Sequence, residues 1–160
     1  MAAMTQDEKR LQKRRMRSAA RLYAVQALFQ MEAMGQGVDR VRVEFEDHRF
    51  GMVTDEGEFA EGDVDLFRAL LDAAVDAQSR IDQMTDRALV ARWPLGRIDP
   101  TLRALFRAAG AELVGRDTPP KVVINEFVEV ARAFFPEGKE AGFVNAVLDH
   151  MAREARPEAF

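Results

Sequence analysis

Apolar residues along this chain recur at intervals of three and four, the repeat of a helix with one buried face. Ala20, Tyr23, Ala24, Ala27, Leu28 and Met31 form the first such stripe, and Gly35 and Gly37 close the helix that carries it. Asp63 reads as an N-cap for a long amphipathic helix through Leu66, Phe67, Leu70, Leu71, Ala74, Ile81 and Met84. A second helical unit from Thr85 to Trp93 ends at Pro94 and Gly96. Asp99-Pro100 is a strong helix start, with Leu102, Leu105, Phe106, Ala109 and Leu113 as its buried face. Gly115 to Pro120 is a turn. A helix from Lys121 to Phe134 follows, with Ile124, Phe127, Val128, Ala131 and Phe134 inward. Pro136 and Gly138 break it, and a last helix from Ala141 to Glu154 turns Phe143, Val147, Leu148 and Met151 to the core.

Residues 35–62 are less regular. Val41-Arg-Val-Glu-Phe alternates like a strand, yet Val38, Val41 and Phe45 also fit a short helix, which is the reading taken. A mobile acidic loop is expected over 49–61. The whole is an all-α bundle of about six or seven helices in two halves, 14–95 and 96–155, preceded by a basic arm over 1–13. Thr5 and Glu8 have the spacing of a capping box. The charged stretch behind them lacks apolar partners, so fraying or disorder is expected as far as Lys13.

Charge sharpens this picture. Net charge is −4, but residues 1–21 hold seven Lys or Arg against two acids, and the other 139 hold sixteen against twenty-five. A basic end on an acidic body suits a nucleic-acid arm and equally suits a solvated tail. Arg14, Arg17 and Arg21, spaced three and four apart, share one helix face. Arginine serves phosphate well because its planar fork donates two hydrogen bonds and its face stacks on a base. Phe135 and Phe143 flank the Pro-Gly turn that contains Lys139. With Phe134 turned inward, Phe135 is the ring expected at the surface.

Catalysis finds little support. Two histidines, His48 and His150, fall on elements that read as surface. Ser18 and Ser79 lack a nucleophile-elbow setting, and the scattered glycines form no phosphate loop. Glu126 and Glu129 are paired carboxylates, but three-residue spacing on a helix usually marks a solvated face. Cysteine is absent, which removes disulfides and thiolate chemistry. No cofactor, metal or catalytic residue is expected. The chain has neither a membrane-spanning apolar run nor a signal-peptide core near its start, so a cytoplasmic location is expected.

Three segments carry a family resemblance: Ala24-Val-Gln-Ala-Leu-Phe, Lys121-Val-Val-Ile-Asn-Glu-Phe-Val-Glu and Phe143-Val-Asn-Ala-Val-Leu-Asp. Together they resemble the NusB family of bacterial transcription antitermination factors, over about residues 14–154. The resemblance implies an all-helical fold and no enzyme activity. It implies binding to single-stranded boxA RNA of ribosomal RNA transcripts, jointly with ribosomal protein NusE, within an antitermination complex on RNA polymerase. The family's arginine-rich segment falls on Arg14, Arg15, Arg17 and Arg21, and its aromatic RNA surface on Phe135 and Phe143. Lys121 and Lys139 are implied phosphate contacts, and Phe29 stands where the family faces NusE. Asn125 and Asn145 match motif positions that buried hydrogen bonds would also explain.

The chain departs from the family pattern in several places. Ala146 replaces a usual Gly, and Gly142 stands where a basic residue is common. Ser18 and Ala19 stand where relatives carry further arginines. Gly110 and Ala111 replace larger residues, which is expected to thin a partner surface. Two other readings stay open. One is a helical interaction protein or homodimer without an RNA role. The other is a relative of the N-terminal RNA-binding domain of ribosomal RNA methyltransferases.

Overall fold

The computed structural model describes residues 3–51, 53–54, 57–58, 61–89 and 98–160. Among these lie α1 (Gln6–Met34), α2 (Val38–His48), α3 (Val64–Asp76), α4 (Gln78–Leu89), α5 (Pro100–Gly115), α6 (Pro120–Phe134) and α7 (Lys139–Ala155). Between α2 and α3, β1 (Val53–Thr54) and β2 (Gly57–Glu58) form a two-residue antiparallel ladder pairing Val53 with Glu58 and Thr54 with Gly57. Of the expected acidic loop, residues 52, 55, 56, 59 and 60 lie outside the described residues. So do Trp93, Pro94, Gly96 and the expected division of the chain near residue 95.

The helix starts follow from local chemistry. Asp63 accepts from the Leu66 N–H at 3.0 Å, and Asp99 accepts from the Thr101 N–H at 2.7 Å ahead of Pro100. Each satisfies an amide that the first turn leaves orphaned. Gly35 ends α1 with φ +63°, a conformation that carries little penalty only without a Cβ. Val41 and Phe45 of α2 are fully buried, so the alternating stretch is helical.

One break differs from the sequence expectation. The apolar stripe from Leu66 to Met84 reads as a single helix ending at Thr85. The chain instead turns at Ala77 (φ −111°, ψ 20°), and Thr85 lies buried inside α4. Its hydroxyl donates to the Ile81 carbonyl at 2.8 Å, which lets a polar side chain sit inside the core without an unmet hydrogen bond.

A single apolar core draws on all seven described helices, with α5 at its centre against α1, α3, α4, α6 and α7. Gly110 of α5 explains one close approach. A Cβ there would sit 2.4 Å from Ile81 Cγ2 of α4. Gly110 and Ala111 are both buried, which overturns the expectation that they thin a partner surface. Their small size serves helix packing. Aromatic rings fill the α1–α2–α3 corner, with Tyr23 stacked on Phe50 at 4.7 Å and Phe50 edge-on to Phe67 at 5.0 Å. No described helix is long and apolar enough to cross a membrane.

Candidate nucleic-acid interface

Helix α1 begins far upstream of its apolar stripe. Thr5 accepts from the Glu8 N–H at 3.1 Å, and Glu8 accepts from the Thr5 N–H at 3.1 Å, a complete capping box. Where fraying was expected up to Lys13, the helix is continuous. Good helix formers fill that stretch, and the packed half of α1 supplies the nucleus, so each further turn adds without a nucleation cost. Every residue from 3 to 15 is exposed.

Along this helix Lys9, Arg10, Lys13, Arg14 and Arg17 share one face, which continues through Ala20, Arg21, Ala24 and Leu28. The face passes from solvent to core just beyond Arg17. There the Met16 carbonyl accepts from the Asp63 N–H at 3.0 Å, docking the start of α3 onto α1. Arg21 therefore does not join the other arginines in solvent. It is 3% exposed and bidentate to buried Glu112 of α5, with both bonds at 2.8 Å. Glu126 of α6 lies 3.5 Å from its third nitrogen. Burial by itself pushes the guanidinium pKa down, but the hydrogen bond and charge of Glu112, with Glu126 and Asp63, more than offset this and the net shift is upward. Arg21 is a charged clamp between helices, buried away from the RNA surface expected for it.

Glu126 also departs from the solvated face expected for it. Its carboxylate accepts from the Ser18 hydroxyl at 2.9 Å and is half-buried. Only Glu129 behaves as a solvated-face residue, paired with Arg132 one turn on. Ser18, Glu112 and Glu126 were the residues sequence reasoning missed. Their partners lie 91 and 108 positions away, beyond any local pattern.

Above this clamp runs a groove of about 590 Å³ between α1 and α6. Leu11, Leu22 and Val130 contribute apolar lining, Arg14 and Arg15 line the α1 side, and Asn125 and Glu129 the α6 side. Asn125 also lines a second groove of about 400 Å³ between α6 and α7, shared with Arg132, Gly142 and Asn145. Asn125 and Asn145 are both exposed, so buried hydrogen bonding does not account for them. Among the described residues, no acid lies within ion-pair distance of Lys9, Arg10, Lys13, Arg14, Arg15 or Arg17.

The other candidates occupy the neighbouring rim. Lys121 is exposed in the first turn of α6, and Lys139 is the exposed first residue of α7. Phe135 caps α6, its N–H donating to Ala131 at 2.8 Å. Its ring is half-buried against the core, as is that of Phe134, so the expected contrast between an inward 134 and an outward 135 does not hold. Phe143 is half-buried as well, edge-on to Phe106 at 6.2 Å. Phe29 is 39% exposed, in a separate groove of about 390 Å³ with Val25, Met34, Thr101 and Phe134. Of the eight proposed RNA residues, Arg14 and Arg15 share the α1–α6 groove, and Arg21 is removed from the surface altogether.

These features define a class: an all-α bundle whose distinctive surface is a basic helix beside shallow grooves. Among the described residues no three His, Cys, Asp or Glu converge as a metal site. The sequence pattern of the NusB family matches residues 18–153, and the chain belongs to that family. Transcription antitermination protein NusB of Maricaulis maris is 46% identical over 161 residues, 100% of both chains. Its counterpart from Caulobacter vibrioides is 49% identical over 141 residues, covering 88% of this chain and 94% of its own. Among solved structures, T. maritima NusB superposes with TM-score 0.70 at 28% identity, covering 89% of this chain and 95% of its own. The NusB in a complex of antitermination factors NusB and NusE with dsRNA has the same fold, with TM-score 0.70 at 21% identity over 88% of this chain and 98% of its own.

Proposed function

We propose that this chain is a non-enzymatic, cytoplasmic transcription antitermination factor. It binds single-stranded boxA-type RNA jointly with ribosomal protein NusE and so enters an antitermination complex on RNA polymerase. The observation that carries this reading is that exposed Arg14 and Arg15 line the α1–α6 groove, with exposed Arg17 next along α1 and no acid within ion-pair distance of any of the three among the described residues. Three neighbouring cations without acidic partners among the described residues cost electrostatic self-repulsion in the free protein, and a polyanion relieves it.

Each feature has a task in this reading. Arg14 and Arg15 grip phosphates along the groove wall, with Lys121 and Lys139 as point charges further along. The apolar lining from Leu11, Leu22 and Val130 accepts the flat face of an unpaired base, and the exposed edges of Phe135 and Phe143 offer stacking surface near the α6–α7 turn. Through Arg21, Glu112 ties α1 to α5 and Glu126 ties it to α6, which fixes the groove. Phe29, in its own groove, faces NusE. Joint binding lets two weak contacts give one selective complex, because the RNA bridges both proteins.

Fluorescence anisotropy of a short boxA-type RNA, with and without NusE and across salt concentrations, tests the proposal. Tighter binding with NusE and rejection of a scrambled RNA are expected. Changing Arg14, Arg15 and Arg17 together to Ala should lower the salt slope by about 2, at about 0.7 per phosphate. Binding that ignores both RNA sequence and NusE would return the chain to the helical interaction-protein reading, for which light scattering would then seek a homodimer.

A further inference from the structure

The groove accounts for Arg14 and Arg15 but leaves the earlier part of α1 without a task. That part is not a loose tail. It is a capped helix: every residue from 3 to 15 is exposed, and none upstream of Leu11 lines the groove. From Gln6 to Arg17 it reaches roughly 18 Å, at 1.5 Å per residue. Residues 6–17 lie upstream of the family-matched segment, 18–153.

Its charges are ordered as well as numerous. Lys9, Arg10, Lys13, Arg14 and Arg17 fall on a single face. Leu11 and Arg15, spaced four apart, turn toward the α6 side and line the groove with Arg14. Arg14 thus belongs to both surfaces and joins them. Lys9, Arg10 and Lys13 thus lie off the side that Leu11 and Arg15 turn to the groove.

We propose that α1 upstream of Arg14 is a second, sequence-independent RNA grip, with Lys9, Arg10 and Lys13 holding phosphates of the strand that leaves one end of the α1–α6 groove. The inference rests on the RNA-binding reading above and adds a footprint to it. Because the arm projects from only one end of the groove, it extends contact on only one side of the bound element. Point cations and a row of phosphates read no bases, so the added contact strengthens binding without altering sequence preference.

The test compares three RNAs: a short boxA-type element, the same element lengthened at its 5′ end, and the same element lengthened at its 3′ end. Wild-type protein should bind one lengthened RNA more tightly than the short one and gain nothing from the other. Lys9→Gln, Arg10→Gln and Lys13→Gln together should abolish that gain and leave short-RNA affinity unchanged. On the favoured long RNA the salt slope should fall by about 2, three contacts at about 0.7 each. Circular dichroism should show unchanged helicity, since all three side chains are exposed.

Equal loss on short and long RNAs would overturn the inference by placing these cations in the groove site itself. An equal gain from both extensions, or no effect of the triple variant on any RNA, would overturn it too. So would triple-variant loss of binding only to phosphatidylcholine–phosphatidylserine vesicles, which would assign the arm to a membrane surface. A wild-type protein that binds none of the RNAs would instead bring down the RNA-binding reading itself.

Discussion

Arg17 and Arg21 stand one turn apart on the same face of α1 and belong to different chemistries. Arg17 is exposed and has no acidic partner within ion-pair distance among the described residues, whereas Arg21 is buried in a bidentate pair with Glu112. Helical spacing placed both on one face, and that much was right. Spacing does not say where along its length a face leaves solvent, because other helices decide that. Here α3 docks at Met16, α5 presents Glu112 and α6 presents Glu126. An arginine row in a sequence is therefore a ligand surface only as far as the body does not cover it.

The sharpest way to break this comparison is Arg21→Ala, which leaves Glu112 buried without its partner. Chemical denaturation should show a loss of about 3–5 kcal/mol. Arg17→Ala should stay within about 0.5 kcal/mol, as a surface change does. Equal effects of the two would mean that Arg21 is not a clamp. Replacing the pair together, Arg21→Met with Glu112→Leu, should be far less damaging than Arg21→Ala, because no buried charge is stranded. A double-mutant cycle measures that coupling.

Smaller effects probe the two ends of α1. Thr5→Ala removes the cap and should cost about 1 kcal/mol of local helix stability. Faster amide exchange in the first turns with an unchanged melting midpoint is the expected signature. At the far end, Glu32 ties α1 to α5 through Arg103 and Arg107. The Arg103 hydrogen bond above all holds its carboxyl below the ordinary value of 4.5, against a smaller opposing effect of burial. A lowered folded pKa gives stability that is present above the unfolded value and lost as pH falls through the folded one. Acid titration of stability should thus be shallower below about 4.5 in Glu32→Gln, and an identical acid limb would show that the pair adds nothing.

Most helices were legible because their buried faces repeat at helical spacing and their starts carry chemistry, as at Asp63 and Asp99-Pro100. The turn at Ala77 was not, since neither Gly nor Pro marks it and the apolar stripe runs straight through. The arm was underestimated for a different reason. Apolar partners are what an isolated helix needs, whereas this one is an outgrowth of a helix already packed. At the candidate site, Arg14, Arg15, Lys121 and Lys139 are surface cations, as their residue types suggest. The Ser18–Glu126–Arg21–Glu112 cluster could not be read, because pairs so distant in sequence meet only through the fold. The role of Gly110 was not legible, because small residues thin a surface or admit a neighbour, and only the position of Ile81 decides between them.

The continuity of α1 across its exposed and buried halves bears on how fast and how firmly the arm meets a partner. A disordered basic tail loses backbone freedom as it binds, on the order of 1–2 kcal/mol for each residue fixed. Here the twelve residues from Gln6 to Arg17 are already helical before any encounter, so that loss belongs to folding and not to association. On the proposal above, the arm would meet a polyanion as a stiff charged rod, and its contacts would count almost in full toward affinity. The rod gives up the reach of a flexible tail, so whatever it binds must come within one helix length of the bundle.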